Sequence, residues 1–182
     1  MKKRALLAAA TTALAIAAYA APADAATLEG TCSIDGYTTF GLPLKFQPQE
    51  MDWTFDTHPG GGKCTGLLNG QLVQDEPVTV HVDAHGPISC GVAGYSIGAD
   101  FEATFPNLTT GDRKLSGRLS LAAVAAQNAV EVDGKTSGHA AGRASFFGAN
   151  DQVAVLNGCL DGNTVTRLNV NVTVATAGPV SG

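Results

Sequence analysis

The clearest structural signal in the chain is the stretch Arg167-Leu168-Asn169-Val170-Asn171-Val172-Thr173-Val174. Polar and apolar residues alternate throughout it, and side chains two apart on a β-strand project from the same face. The stretch therefore predicts a strand with one buried face and one wet face. The same alternation recurs in segments at 28–34, 40–46, 51–55, 78–84 and 99–105.

Clusters rich in glycine, asparagine, aspartate and proline separate these segments and predict turns. They lie at 35–36, 58–62, 84–87, 107–112, 133–134 and 161–163. Regular strands between such turns predict an all-β domain, and we expect a single antiparallel β-sandwich, with a closed β-barrel as the alternative. Residues 120–130 are ambiguous because their alanines favour a helix, so we expect at most a short helix there.

Two segments that lie 25 residues apart resemble each other. They are Ser116-Gly117-Arg118-Leu119-Ser120-Leu121 and Ala141-Gly142-Arg143-Ala144-Ser145-Phe146. Two copies are too few for a solenoid. We interpret them as neighbouring strands with glycines on the core side, where a partner backbone or a large ring such as that of Phe101 approaches closely.

Residues 1–25 have the three parts of a secretory signal peptide. Residues 2–4 are basic, a mostly alanine stretch follows, and Ala23-Asp24-Ala25 fits the small-x-small cleavage site. The apolar part is short for a membrane span, which needs about 20 residues. We therefore expect cleavage after residue 25 and a single β-rich domain over 26–182, secreted to the extracellular space without a membrane span in the mature chain.

The charge balance bears on the class of partner. The chain has a net charge of −5, and three of its 11 basic residues and one of its 16 acidic residues lie in 1–25, so the predicted mature domain has a net charge of −7. Nucleic acids and anionic membranes are bound by clustered lysine and arginine. The charge therefore argues against a nucleic acid or an anionic membrane as the partner. We also expect no cofactor, and an extracellular or cell-surface partner whose identity the sequence does not indicate.

Four cysteines, Cys32, Cys64, Cys90 and Cys159, follow the predicted signal peptide. An even number of cysteines in an exported chain predicts disulfides, and four cysteines allow three connectivities. We favour Cys32–Cys64 and Cys90–Cys159, because neighbouring partners require the least chain excursion. No two cysteines lie close enough in sequence for a zinc knuckle, so a zinc–thiolate site is not expected.

The strongest candidate for a metal site is the segment His81-Val82-Asp83-Ala84-His85. On a strand, His81, Asp83 and His85 project from one face at intervals of about 6.6–7 Å and could converge on a divalent ion. A solvated strand face is the simpler interpretation, because the apolar residues between them account for the alternation. The sequence indicates no fourth ligand.

Two patterns suggest hydrolytic chemistry. Gly94-Tyr95-Ser96-Ile97-Gly98 fits the G-x-S-x-G nucleophile motif, but that motif requires a following helix, and here another alternating strand follows. Asp100 and Glu102 form an outward carboxylate pair, but two residues on one side of a strand cannot flank a sugar. We expect no catalytic residue. A small secreted hydrolase is the alternative, in which Ser96 or the carboxylate pair would use a histidine brought in by folding: His58, His81, His85 or His139.

Residues 58–64 have the sequence His-Pro-Gly-Gly-Gly-Lys-Cys. A phosphate loop is excluded, because Thr57 stands where the first glycine belongs and Cys64 where serine or threonine belongs. Lys63 beside a disulfide is compatible with a protease-inhibitor loop, although three glycines lower the rigidity that such loops need. The simpler interpretation is a flexible connection. The sequence thus predicts a secreted, non-catalytic β-domain that acts in binding or as a surface component, with a hydrolase and a protease inhibitor as alternatives.

Overall fold

The computed structural model describes residues 25–90, 96–109, 111, 113–124, 127–146, 157–160 and 165–182. These residues form ten β-strands and a helical turn at 157–160. The strands are β1 Thr27–Phe40, β2 Gln49–Leu68, β3 Gln71–Pro77, β4 Thr79–Ile88, β5 Ser96–Thr104, β6 Lys114–Val124, β7 Gln127–Gly134, β8 His139–Phe146, β9 Arg167–Thr176 and β10 Val180–Ser181.

Eight of the strands close into an antiparallel barrel. The order around the barrel is β1, β2, β4, β5, β6, β7, β8 and β9, and β9 pairs again with β1. The all-β class is therefore confirmed, but the predicted sandwich is wrong and the alternative, a barrel, is what the chain forms. Alternation specifies which face of a strand is buried, whereas closure depends on whether the two ends of the sheet meet, which alternation does not specify.

The core lies inside the barrel, because the apolar positions of the alternating strands point inward. On β4, Val82 is buried while its neighbours His81 and Asp83 are exposed. Burial of this apolar surface contributes about 25 cal/mol per Å² to folding. The largest fully buried side chains are Phe105, Leu68, Val130, Val180 and Cys64.

Four of the predicted turns are strand in the structure, so those predictions are wrong. Residues 35–36 belong to β1, residues 58–62 to β2, residues 84–87 to β4 and residues 133–134 to the end of β7. The turn predicted at 161–163 lies outside the described residues. The register between β1 and β2 shifts between Ile34 and Gly36, where residues 58–61 of β2 lie opposite the single β1 residue Asp35, so the ladder is irregular at this bulge. Gly36 is needed at the bulge, since a Cβ there would overlap the ring of Phe55.

The segment 40–46, predicted as a strand, is also different in the structure. β1 ends at Phe40, and residues 41–48 connect it to β2. The leucine at position 44 is nevertheless buried. The alternating pattern of 40–46 therefore reflects the packing of a connection against the barrel. The described residues of 120–130 are all strand, in β6 and β7.

A tight hairpin joins β2 to β3, which lies on the edge of β2 outside the barrel. Asn69 and Gly70 both have positive φ, 52° and 76°. Two consecutive left-handed residues make a type I′ turn, whose twist matches that of the strands it joins and which favours Asn-Gly. This turn was not among the turns predicted from the sequence.

The two similar segments lie in β6 and β8, which are separated by β7, so the prediction that they are neighbouring strands is wrong. Their glycines do lie where another group approaches closely. Gly117 is in register with Phe101 on β5, and a Cβ added at Gly117 would lie 2.8 Å from the Phe101 ring. The glycine thus provides the space in which this aromatic ring packs.

Two disulfides are present, with the pairing that the sequence analysis favoured: Cys32–Cys64 and Cys90–Cys159. Cys32 and Cys64 are directly opposite each other on β1 and β2. The bond therefore joins the two strands whose pairing closes the barrel. Cys90–Cys159 instead links the connection after β4 to the helical turn at 157–160.

Candidate ligand-binding cavity

A cavity of about 190 Å³ lies inside the barrel. Each of the eight barrel strands contributes side chains to its wall, and nearly all of that wall is hydrocarbon. Aromatic and branched aliphatic side chains are prominent in it, among them Trp53, Phe55, Phe101, Leu119, Leu121 and Val172. An eight-stranded barrel is just wide enough either to fill with side chains or to hold one small ligand.

None of the described residues that line the cavity is charged or titrates near neutral pH. The polar side chains in the wall, other than Trp53, are Thr38, Ser89 and Thr176. The Thr176 hydroxyl already accepts a hydrogen bond of 2.8 Å from the backbone N–H of Gly30. The cavity is therefore an environment of low polarity in which a charge would lose its hydration without compensation.

Trp53 is the exception in this apolar wall. Its side chain is 4% exposed, and its indole Nε1 is buried without a hydrogen-bond partner in the described part of the chain. Alternation on β2 positions it, since Asp52 faces solvent on one side and Thr54 is only half-buried on the other. A buried tryptophan N–H usually has a partner, and Trp53 is a lining residue of the cavity.

Tightly packed side chains fill the end of the barrel at which β1 begins. Leu28 is in register with both Leu68 of β2 and Val180 of β10, which draws the short β10 across this end. Phe105, at the end of β5, is completely buried. Leu28, Val180 and Phe105 also line the cavity, so hydrocarbon borders it at this end.

Three connections meet at the opposite end of the barrel. The backbone N–H of Leu44 donates to the carbonyl of Val165, and that of Cys90 donates to the carbonyl of Lys45, at 2.9 and 2.8 Å. The Cys90–Cys159 disulfide completes this set of links. These links hold the three connections together at this end of the barrel.

The predicted metal ligands lie on the outer face of the barrel, away from the cavity. His81 Nδ1 is 2.7 Å from Asp56 Oδ1, and its Nε2 is 3.1 Å from Asp83 Oδ2. His85 instead pairs with Asp52, at 2.7 Å. Among the described residues, no three His, Cys, Asp or Glu side chains are arranged to hold a metal ion. The side chains at 81, 83 and 85 therefore form two separate carboxylate–histidine clusters.

The two carboxylates considered for hydrolysis are likewise engaged on the outer face. Glu102 accepts a hydrogen bond of 2.8 Å from the ammonium of Lys114, and an Asp100 oxygen lies 3.8 Å from Nε of Arg118. Ser96 is the first residue of β5, and positions 94 and 95 of its motif lie outside the described residues. The ion pairs show that the outward carboxylates have cationic neighbours on β6.

The other two histidines have different neighbours. His139 Nδ1 is 2.9 Å from Asp133 Oδ1, and the ring of His58 lies against that of Tyr37 with 5.3 Å between centroids. The residues considered for an inhibitor loop, 58–63, are part of β2 and do not form a separate connection, although 58–61 have no register partner in the described strand pairs. Lys63 is exposed and in register with Ser33 of β1.

The His81 cluster makes stability depend on pH. The hydrogen bond to Asp56 raises the pKa of His81 above its ordinary value of 6.5, and the charges of Asp56 and Asp83 raise it as well. Partial burial of the imidazole lowers the pKa, but the net shift is upward. A histidine whose pKa is higher in the folded state than in the unfolded state stabilises the fold at pH values below its unfolded-state pKa. This stabilisation is lost as the pH rises through the folded-state pKa.

We expect Asp56→Asn to lower the His81 pKa and to reduce stability at pH 5.5 more than at pH 8.5. Both side chains are more than a third exposed, so the pH-dependent part is at most about 1 kcal/mol. Proton NMR titration of the imidazole and denaturant unfolding at the two pH values measure both effects. Asp52→Asn, beside His85, is the matched control, and a His81 pKa unchanged by Asp56→Asn would contradict the assignment.

No family model matches the chain, and neither the curated proteins nor the solved structures include a match to it. Within the described residues, no helix is long and apolar enough to cross a membrane. The function is therefore inferred from the geometry of the barrel alone.

Proposed function

We propose that the chain is an exported, non-catalytic binding protein that holds a small apolar molecule inside its barrel. The observation that carries this proposal is the apolar cavity of about 190 Å³. Small-molecule sites are concave and mostly apolar, with few polar groups that fix orientation, and the mouths and interiors of β-barrels are common places for them. The wall of this cavity has that composition.

The size of the cavity limits the size of the ligand. An engineered apolar cavity of about 150 Å³ in another protein stays dry and binds benzene. The cavity here is slightly larger, which corresponds to a single ring with a small substituent or to a short alkyl chain. Binding would transfer the apolar surface of such a molecule out of water, at about 25 cal/mol per Å².

Export is supported by the disulfides in the structure and by the signal peptide predicted from the sequence. Two disulfides are typical of proteins in oxidising, extracellular environments. The signal peptide predicted over 1–25 lies outside the described residues apart from residue 25, so it stays a prediction from the sequence. The partner that we propose is therefore a small extracellular molecule.

The position of the titratable groups argues against the two alternatives. A hydrolase needs a nucleophile and a base facing one substrate site, and the carboxylates and histidines described above lie on the outer face. An inhibitor needs a rigid projecting loop, whereas Lys63 lies within a strand. Neither alternative makes use of the cavity.

Binding can be measured with benzene as the probe and Trp53 fluorescence as the readout, because Trp53 is the only tryptophan in the chain. We expect a saturable change in emission. Ala144 lines the cavity, so Ala144→Leu fills part of it and weakens benzene binding by about tenfold or more, which corresponds to about 1.4 kcal/mol.

Ala141→Leu is the matched control, since Ala141 lies on the same strand but is exposed. This variant should bind benzene as the parent protein does, and circular dichroism should show that both variants are folded. The absence of a saturable response in the parent protein, or equal benzene affinity in Ala144→Leu and Ala141→Leu, would refute the proposed function.

A further inference from the structure

The indole N–H of Trp53, which has no partner among the described residues, indicates the chemistry of the ligand. Leaving a buried donor unpaired is unfavourable, and such groups are few in folded proteins. Among the described residues, the other buried side-chain atom without a partner is an oxygen of Glu76, and Glu76 does not line the cavity. Trp53, in contrast, is a lining residue of the cavity.

We propose that the ligand is neutral and carries a hydrogen-bond acceptor, such as a ketone or ester oxygen, that accepts a hydrogen bond from Trp53 Nε1. This inference rests on the proposed function and narrows it to one ligand class. The remainder of the ligand is apolar, because the wall around Trp53 is mostly hydrocarbon.

The absence of charge in the wall explains why the ligand is neutral. A carboxylate or an ammonium in the cavity would need an opposite charge or several hydrogen bonds to replace its hydration. None of the described lining residues supplies a charge. A fatty acid in its ionised form is therefore excluded from the interior, whereas an uncharged carbonyl compound of the same size is accepted.

The test compares two probes of the same shape, cyclohexanone and methylenecyclohexane, in which a carbonyl oxygen replaces a terminal CH₂ group. Both should bind inside the barrel and compete with benzene. Because the chain has one tryptophan, its indole gives a single N–H resonance in a ¹H–¹⁵N spectrum. We expect cyclohexanone to shift this resonance to higher proton frequency, as hydrogen bonding does, and methylenecyclohexane to leave it nearly unchanged.

A variant provides an independent readout. Trp53→Phe removes the donor and keeps an aromatic ring, so we expect it to lower the affinity for cyclohexanone about tenfold more than the affinity for methylenecyclohexane, as measured by calorimetry. Using the ratio of the two affinities removes the contribution of the enlarged cavity. Phe55→Leu, which also alters a lining aromatic side chain but removes no donor, should leave that ratio unchanged.

The outcomes separate this inference from the proposed function. If both probes bind but the indole resonance responds alike to the two, and Trp53→Phe leaves the affinity ratio unchanged, the acceptor is not recognised and the inference is wrong while the binding function stands. If neither probe nor benzene binds, the proposed function itself is wrong. If Trp53→Phe does not fold, the resonance shift in the parent protein decides.

Discussion

Gly117→Ala is expected to destabilise the barrel by about 3 kcal/mol, the upper part of the usual range for an overpacked core. A Cβ at this position would overlap the carbonyl oxygen of Asp133 on β7 and lie 2.8 Å from the ring of Phe101 on β5. The backbone oxygen is held in the β6–β7 ladder, and the ring is packed in the core, so neither can move aside cheaply. Urea unfolding measures the loss.

Gly98→Ala is the control for this prediction. Gly98 lies on the neighbouring strand β5, is exposed, and has open space where a Cβ would be placed. Alanine reduces the conformational entropy of the unfolded chain, so Gly98→Ala should be neutral or stabilising by up to about 1 kcal/mol. Equal losses in the two variants would mean that the Phe101 ring does not pack on Gly117.

Removing the Cys32–Cys64 bond is expected to cost about 4 kcal/mol. The bond closes a loop of 32 residues, and the chain-entropy model gives about this stabilisation for such a loop. Both cysteines are buried in the interior at the pairing of β1 with β2. The double variant Cys32→Ala/Cys64→Ala should therefore unfold at a markedly lower denaturant concentration.

The control comes from the next register pair of the same two strands, Ser33 and Lys63. Ser33→Ala/Lys63→Ala changes exposed side chains and should alter stability by no more than about 0.5 kcal/mol. If the cysteine variant lost less than about 1 kcal/mol, the β1–β2 pairing would not depend on the bond, and this account of barrel closure would have to be revised.

The strand pattern could be predicted from the sequence because solvent contact alternates along most barrel strands. The alternation at 78–84 and 99–105 corresponds to β4 and β5, with Val82 and Phe101 buried and their neighbours exposed. Barrel closure could not be predicted in this way, since a sandwich and a barrel require the same inward and outward residues. The pairing of β1 with both β2 and β9 is a non-local property of the chain.

Glycine occurs in this chain both within strands and in turns, which explains why some of the turn predictions are wrong. Gly36 and Gly62 lie within strands, where a Cβ would overlap the Phe55 ring or the carbonyl of Val78. Gly70, by contrast, does form a turn, and the preceding Asn69 gives the Asn-Gly pair that is the strongest short-range hairpin signal. That signal was present in the sequence and was not used.

The cavity itself had no direct signal in the sequence. Many of its lining residues lie on the apolar faces of the predicted strands, but whether a core is filled depends on side-chain volumes summed over eight strands, which the pattern of any one strand does not contain. The alternation of 51–55 did place Trp53 on the buried face. The missing partner of its N–H could be recognised only once the surrounding residues were known.

The most direct test of the central claim, that the chain closes into a barrel around an apolar cavity, is a crystal structure of the protein pressurised with xenon. Xenon enters dry apolar cavities and is visible as a strong density peak. We expect a xenon atom inside an eight-stranded barrel, within contact distance of Trp53 and Phe101. A barrel interior without xenon, or two separate sheets with no β1–β2 pairing, would contradict the account.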